Sequence, residues 1–492
     1  MKRTSLISIV LLSVAFTVTT TEAPAAAAKR PTHPSFSASP GISPAFGWKR
    51  HDYVVRCDSS PVRFNVKLAG KWEGRIDSLP RRRQSFTTKR RMKSGSRVVL
   101  RFTAPGGRHR EFSVRCLPHD FPKYTFRRQA KGGPRLFVMQ FNRHYAAIIN
   151  RDGAPVWWYR AEGVPDNARL LPNGNIAYAP VADWTYQQGS YEIRTLRGRY
   201  LKTINTTDDN PADVHEILKL NNGNFLTGSF TYRTGIDATA FGGVANASVS
   251  DAEIQEIRPD GSLAWSWDSG DHIGLEETGR WWDTILPQGQ PYDVVHWNSV
   301  ERNGNSLLMS FRHLDAVYKI HRPTGEIIWK LGGTPTPESL EITNGPGGLP
   351  FGGQHDARLN KDGTISIFAN NTDMSKQAAG IRYRVNEKLG TAKLVSSIKD
   401  PKAKWSFCCG SYRVLPSGYS LVSWGGVPTL PGNPLATGAT INGVIGAYDT
   451  KGRPVFRLKT PAGVSYRANP VEGPNPSLKK LRNTMDWMSE NS

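Results

Sequence analysis

Acidic side chains are scarce. The chain sets 41 Asp and Glu against 64 Lys and Arg, a formal net charge of +23 over 492 residues. That excess favours anionic small molecules, polyanions or anionic surfaces as partners. No recognisable nucleic-acid-binding motif accompanies it, which argues against nucleic acid. Charged residues of both signs make up only 21% of the chain, and no convincing long amphipathic helix can be traced, which speaks against an architecture of long helices. After the first residues no run is long and apolar enough to cross a bilayer. Cysteine is limited to four residues.

What is present points to strands. Hydrophobic residues reach 38%, enough for a real core, and 47 Gly, 34 Pro and 14 Trp accompany them. Short strands joined by Gly, Asn and Pro turns produce this mix. At roughly 150 residues per domain the length suits two to three domains.

The N-terminus reads as a secretory signal peptide over residues 1–28. Lys2 and Arg3 precede an apolar run from Leu6 to Val18, and Ala25 to Ala28 supply small residues for cleavage. No Cys follows the run, so a lipid anchor is not expected, and the chain is expected to be secreted or periplasmic. Four cysteines suit export. Cys57 and Cys116 each end an alternating segment, Tyr-Val-Val-Arg-Cys and Phe-Ser-Val-Arg-Cys, and are expected to pair, tying the first and last strands of one small domain. Cys408 and Cys409 are adjacent, and both a strained vicinal disulfide and free thiols fit them.

Residues 29–44 are rich in Pro, Ser and Ala and read as a linker. Residues 45–120 alternate apolar and polar positions, as in Val62-Arg-Phe-Asn-Val, and read as a β-sandwich. That stretch carries a basic cluster, Arg81, Arg82, Arg83, Lys89, Arg90, Arg91, Lys93, Arg97 and Arg101. It fits a solvated face or contact with an anionic cell envelope.

From residue 134 a repeat takes over. One half is Leu171-Pro-Asn-Gly-Asn, returning as Leu220-Asn-Asn-Gly-Asn, Glu301-Arg-Asn-Gly-Asn, Leu359-Asn-Lys-Asp-Gly and Leu415-Pro-Ser-Gly. The other is Asn150-Arg-Asp-Gly with a following aromatic residue, returning at Arg258, Arg322 and Asp449. Asn-Gly and Asp-Gly suit tight hairpin turns. Paired hairpins at intervals of about 40–60 residues mean four-stranded blades. The expectation is an all-β chain: a six-bladed β-propeller over 134–473, preceded by the sandwich and followed by a polar tail, 474–492, that closes or caps the ring.

A propeller gathers functional groups at its channel mouth, one or two per blade. His215 in Asp-Val-His-Glu-Ile, His296 in Asp-Val-Val-His-Trp-Asn and His355 in Gly-Gly-Gln-His-Asp each lead into a strand. Equivalent positions in different blades would converge. Asn298 follows His296 by two and shares its side if the segment is extended. Arg312 closes the next strand. His144, His272, His313 and His321 show no such pattern and are read as structural. Three His could ligate zinc, but no His-x-His pair occurs and Arg312 opposes a cation, so no metal is expected. Asp356, beside His355, reads as a turn cap rather than an imidazole partner.

Residues 292–358 resemble the bacterial arylsulfotransferases. The matching text is His-Trp-Asn-Ser-Val (296–300), Leu-Leu-Met-Ser-Phe-Arg (307–312), Gly-Glu-Ile-Ile-Trp-Lys-Leu-Gly-Gly (325–333) and Gln-His-Asp-Ala-Arg (354–358). The resemblance implies sulfuryl transfer from an aryl sulfate to a phenolic acceptor, with no nucleotide donor and no cofactor. It implies that His355 is the nucleophile and becomes transiently sulfurylated. It implies that His215, His296 and Arg312 hold sulfuryl oxygens and manage protons, with Asn298 a further substrate contact. Trp297 suits stacking on the aryl ring. Three other classes fit parts of the pattern: an aryl sulfatase with water as acceptor, a non-catalytic binding propeller, and a quinone-dependent dehydrogenase, for which adjacent Cys residues have a use.

Overall fold

The structure, a computed structural model, describes residues 32–57, 61–141, 144–182, 189–207, 210–345, 348–430, 437–473 and 476–491. The expected signal peptide, residues 1–28, lies outside the described residues, as do 29–31 and residues 474–475 of the tail.

The chain is all-β apart from short helical pieces. Residues 35–117 form two sheets on one core. A three-stranded sheet joins Ser35–Ser39, Val62–Lys67 and Phe86–Arg90. A five-stranded sheet runs in the order Ile42–Ser43, Asp52–Arg56, His109–Leu117, Arg97–Thr103, Glu73–Ile76. Alternation drives the fold here: Val62, Phe64 and Val66 are buried while Arg63 and Lys67 face out. The linker expectation is overturned. Ser35–Ser39 pairs with Val62–Lys67 and buries Phe36 against Tyr53 and Phe112. A Pro- and Ser-rich composition hid a strand whose one large apolar residue supplies the contact. Cys57 and Cys116 form the expected disulfide. It joins neighbouring parallel strands, however, because two strands precede the one that leads to Cys57. Several arginines of the basic cluster have carboxylate partners, Arg90 with Asp77 and Arg97 with Asp486 among them.

Among the described residues beyond 134 lie six antiparallel four-stranded meanders, three of which carry a fifth strand at an edge or beside it. The first takes Leu136–Phe141, Tyr145–Asn150 and Pro155–Arg160 from one end of this region, and its remaining strand, Ala468–Pro470, from the other end. Closure is therefore made by strand pairing between distant segments. The next five begin with Val164–Leu170, Leu218–Lys219, Trp297–Asn303, His355–Leu359 and Ser411–Val414. Both halves of the sequence repeat are turns: one joins the first two strands of a meander, the other its last two. Gly174, at φ 83°, shows why glycine sits there: its N–H donates to the Leu171 carbonyl at 2.9 Å. Successive strands reverse direction, so these turns share one rim. The starts of first strands and the ends of second strands share the other rim, which carries none of the repeat turns.

Six meanders meet through buried ions. Glu216 accepts from Arg169, Arg358 and Arg467. Asp356 accepts from Arg358 at 2.9 Å and Arg413 at 2.8 Å. Arg467 also donates to the Asn298 carbonyl at 2.5 Å, and Arg413 to Asn469 at 3.1 Å. Burial alone would raise the Glu216 carboxyl, but the three guanidinium groups outweigh it and hold it below the usual carboxylate range. Burial pulls Arg413 down to about 9.

The tail was expected to be polar. It is a helix, Leu478–Glu490, capped by the Ser477 hydroxyl accepting from Lys480 N–H. Leu481 and Met485 are buried against the first meander. The helix also bolts on the N-terminal sheets: Arg482 pairs with Asp52, and Asp486 with Arg97 and Arg115. Its apolar stripe is one residue per turn, too thin to read among Lys and Arg. Among the described residues no helix is long and apolar enough to cross a membrane.

Glu216→Gln removes the shared counter-charge of three buried arginines. It should lower unfolding free energy by about 3–5 kcal/mol, read from urea denaturation. A midpoint equal to the parent's would show that the arginines do not depend on this carboxylate.

Candidate functional site

A cavity of about 840 Å³ opens on the rim free of repeat turns. His215, His296, Arg312 and His355 all line it, so the structure brings together the four residues singled out for chemistry.

Each imidazole is held by its Nδ1. His215 pairs with Asp213 at 2.5 Å, and His296 with Asp293 at 2.5 Å. His355 meets the Asn370 Oδ1 at 2.8 Å. Asn370 spends its amide hydrogens on Ser406 Oγ at 2.7 Å and the Cys409 carbonyl at 3.0 Å. Its Oδ1 is therefore an acceptor, which assigns the His355 proton to Nδ1 and leaves the Nε2 lone pair free. Burial, then the charge of Arg312, pushes the His355 imidazole well below its ordinary pKa. A neutral ring with a free Nε2 is a nucleophile.

Arg312 is clamped. Its guanidinium lies 4.3 Å from the Trp281 ring centroid and donates to His313 Nε2 at 2.7 Å. His313 in turn donates from Nδ1 to the Asp293 carbonyl at 2.6 Å. Both nitrogens are thus committed, and burial pushes this imidazole well below its ordinary value. His313 was read as structural, but it lines the cavity and positions the arginine. Adjacency to Arg312 was the available signal. His144, His272 and His321 do not line the cavity. Asp293 serves both His296 and His313. Burial would raise its carboxyl, but the neighbouring His296 and the charge of Arg312 outweigh it and hold it low. Asp293, His296 and His313 offer donor atoms within 4.8 Å of one another, a spacing that suits a metal. In this set the His313 Nε2 accepts from a cationic guanidinium, and the His296 Nδ1 is bonded to the carboxylate. The set is organised as a hydrogen-bond network.

Two expected substrate contacts lie elsewhere. Asn298 is fully buried, donating to the Gln354 carbonyl at 2.8 Å and accepting from Asp356 N–H. Trp297 is fully buried in a neighbouring core. The parity argument fails because His296 adopts φ 46°, which breaks the extended run and turns its side chain away from theirs. Trp281, Trp405 and Phe407 supply the aromatic walls instead. Asp356 is neither turn cap nor imidazole partner. Its own φ of 61° aims the carboxylate at the arginines.

Two further residues escaped the sequence reading. Burial raises the Asp166 carboxyl to about 6. The Tyr466 hydroxyl, in the same cavity, is buried without a protein partner.

The depressed imidazoles tie stability to pH. Below about pH 6.5 an unfolded chain protonates His355 while the folded chain does not, so stability falls as pH falls. His355→Gln should reduce the stability difference between about pH 7.5 and 5.5 in urea unfolding. Identical slopes in parent and variant would refute a depressed His355.

A family model described as Arylsulfotransferase (ASST) matches residues 181–434, more than half of the chain. No curated protein matches. Among solved structures the chain is similar to a protein of unknown function from Bacteroides caccae, at 13% identity over 69% of this chain and 100% of that chain, TM-score 0.43. It is also similar to the Myceliophteria thermophila Cps50 (Swd1) β-propeller domain, at 9% identity over 70% and 89%, TM-score 0.33. A Myxococcus xanthus glutaminyl cyclase follows at 13% identity over 50% and 90%, TM-score 0.24. The family match spans His215, His296, Arg312 and His355, and the chain belongs to the arylsulfotransferase family.

Proposed function

We propose that this protein moves a sulfuryl group from an aryl sulfate to a phenolic acceptor through a sulfohistidine at His355, without a nucleotide donor. The observation that carries the reading is the convergence of three Nδ1-anchored imidazoles and one clamped guanidinium on a single cavity. In this reading the six meanders are blades of a propeller, residues 35–117 are a β-sandwich appended to it, and the chain is exported by residues 1–28. The basic sandwich would then face an anionic cell envelope.

Sulfuryl transfer, like phosphoryl transfer, is mostly positioning and charge stabilisation. The His355 Nε2 attacks sulfur, an N–S bond forms, and the S–O bond to the phenol breaks. Arg312 holds sulfuryl oxygens with a planar fork that stays protonated. Its clamp by Trp281 and His313 removes the freedom that such a long side chain would otherwise lose on binding. The departing phenolate takes a proton from a carboxylate-backed imidazole, His215 or His296. That imidazole takes a proton from the incoming phenol in the second half-reaction. Asp213 and Asp293 offset the positive charge that such a ring carries before it gives up its proton and after it takes one back. Trp281, Trp405 and Phe407 stack the aryl groups.

The test is intact-protein mass spectrometry after brief mixing with 4-nitrophenyl sulfate. The parent should gain one sulfuryl group and release nitrophenol; His355→Ala should do neither. Arg312→Met should slow transfer by about a hundredfold or more, as loss of a transition-state donor does elsewhere. An adduct on the His355→Ala protein would sink the assignment.

A further inference from the structure

Two adjacent thiols stand in the wall of the same cavity. Cys408 is half-buried, Cys409 buried, and both are free. Their Sγ atoms are 2.7 Å apart, one thiol donating to the other. Cys409 holds a left-handed backbone, φ 65°. This backbone is tightly seated. Its Cys408 carbonyl accepts from Gly426 N–H at 3.1 Å, and the Gly410 N–H donates to the Tyr466 carbonyl at 2.9 Å. A side chain at Gly425 would collide with the Cys408 carbonyl.

The pair is wired to the reacting histidine. The Cys409 carbonyl accepts from Asn370, and the Asn370 Oδ1 holds the His355 Nδ1–H. Torsions at Cys409 therefore set the seat of Asn370, and Asn370 sets the tautomer and direction of His355. Arg312, Cys408 and Cys409 line the same cavity.

We propose that Cys408 and Cys409 are a reversible dithiol modification site, closed to a vicinal disulfide by small disulfide oxidants, and that closure unseats His355 through Asn370. The proposal rests on His355 as the reacting group. Cys408, the more exposed of the two, reacts first. Its thiolate attacks one sulfur of the oxidant, forming a mixed disulfide and releasing one thiol. Cys409 then loses its proton and attacks the Cys408 sulfur, and the second oxidant thiol leaves. Two electrons and two protons pass to the oxidant, which becomes two thiols.

Geometry makes the closed form both disruptive and labile. Neighbouring Cα atoms are about 3.8 Å apart across a trans peptide, whereas disulfides usually span at least about 4.4 Å. The bond can close only by shifting the torsions of both residues, and a strained disulfide is readily reduced. The Cys409 carbonyl must move with them, and Asn370 loses one of the two acceptors that fix its amide.

The test treats the purified protein with excess bis(2-hydroxyethyl) disulfide or with dithiothreitol, and counts free thiols by iodoacetamide alkylation and mass. His355 accessibility is read separately, as the rate of carbethoxylation of its peptide by diethyl pyrocarbonate. In the parent, oxidation should remove two alkylatable thiols. It should change His355 carbethoxylation severalfold, lower 4-nitrophenyl sulfate turnover at least tenfold, and reverse with dithiothreitol. Cys408→Ser and Cys409→Ala should each lose the response to oxidant. Formation of the disulfide with unchanged His355 reactivity would overturn the proposal, as would two thiols that stay alkylatable under oxidant. If the reduced parent turns over no aryl sulfate, the proposed function fails, while the carbethoxylation rate still decides the coupling.

Discussion

Everything at the centre of this molecule depends on the buried pairing of Glu216 and Asp356 with four arginines. Arg169, Arg358, Arg413 and Arg467 come from different meanders, and their hydrogen bonds reach carbonyls or side chains of the others. Strand pairing holds each meander together but cannot cross from one inner strand to the next. Ionic hydrogen bonds can, because guanidinium groups are long and offer several donors. The cost is desolvation of six charges, so the arrangement persists only where every partner is present. Two carboxylates against four guanidinium groups also leave the core positive, in keeping with an anionic substrate.

That core decides where side chains point. Asp356 turns toward the arginines, and its left-handed backbone sends His355 the other way, toward the cavity. His296 reaches the same cavity through its own left-handed conformation. In both places a non-glycine residue accepts an uncommon backbone region where the cavity's side-chain arrangement needs it. The cavity rim is then furnished by acceptors behind each Nδ1. Carboxylates stand behind His215 and His296, which suits proton exchange. An amide stands behind His355, which suits a ring that must stay neutral.

The outer plan was legible because its chemistry is local. Asn-Gly and Asp-Gly turns such as those at Gly174 and Gly223 mark one rim, and the same signal repeated through the chain spells out the meanders. The three histidines and Arg312 could be found because each stands at an equivalent place beside a first or second strand. Other parts had no local signal. Phe36 is one apolar residue in a Pro- and Ser-rich stretch, and the tail helix hides Leu481 and Met485 among basic residues. Trp281, Trp405, Phe407 and Tyr466 come from connections between strands, where no period applies.

By itself the sequence determined the all-β meanders, the pairing of Cys57 with Cys116, the family, and the gathering of His215, His296, Arg312 and His355 at one rim. Turn preference, strand alternation and short motifs act over a few residues, so they can be read in one dimension. Tertiary structure alone decided that His313 clamps Arg312, that Asn298 and Trp297 face away from the cavity, and that Asp356 belongs to the ionic core. It alone placed Cys408 and Cys409 one amide away from His355. Those outcomes turn on single backbone torsions at His296, Asp356 and Cys409. Such torsions are set by packing against residues distant in the chain, and no local pattern encodes them.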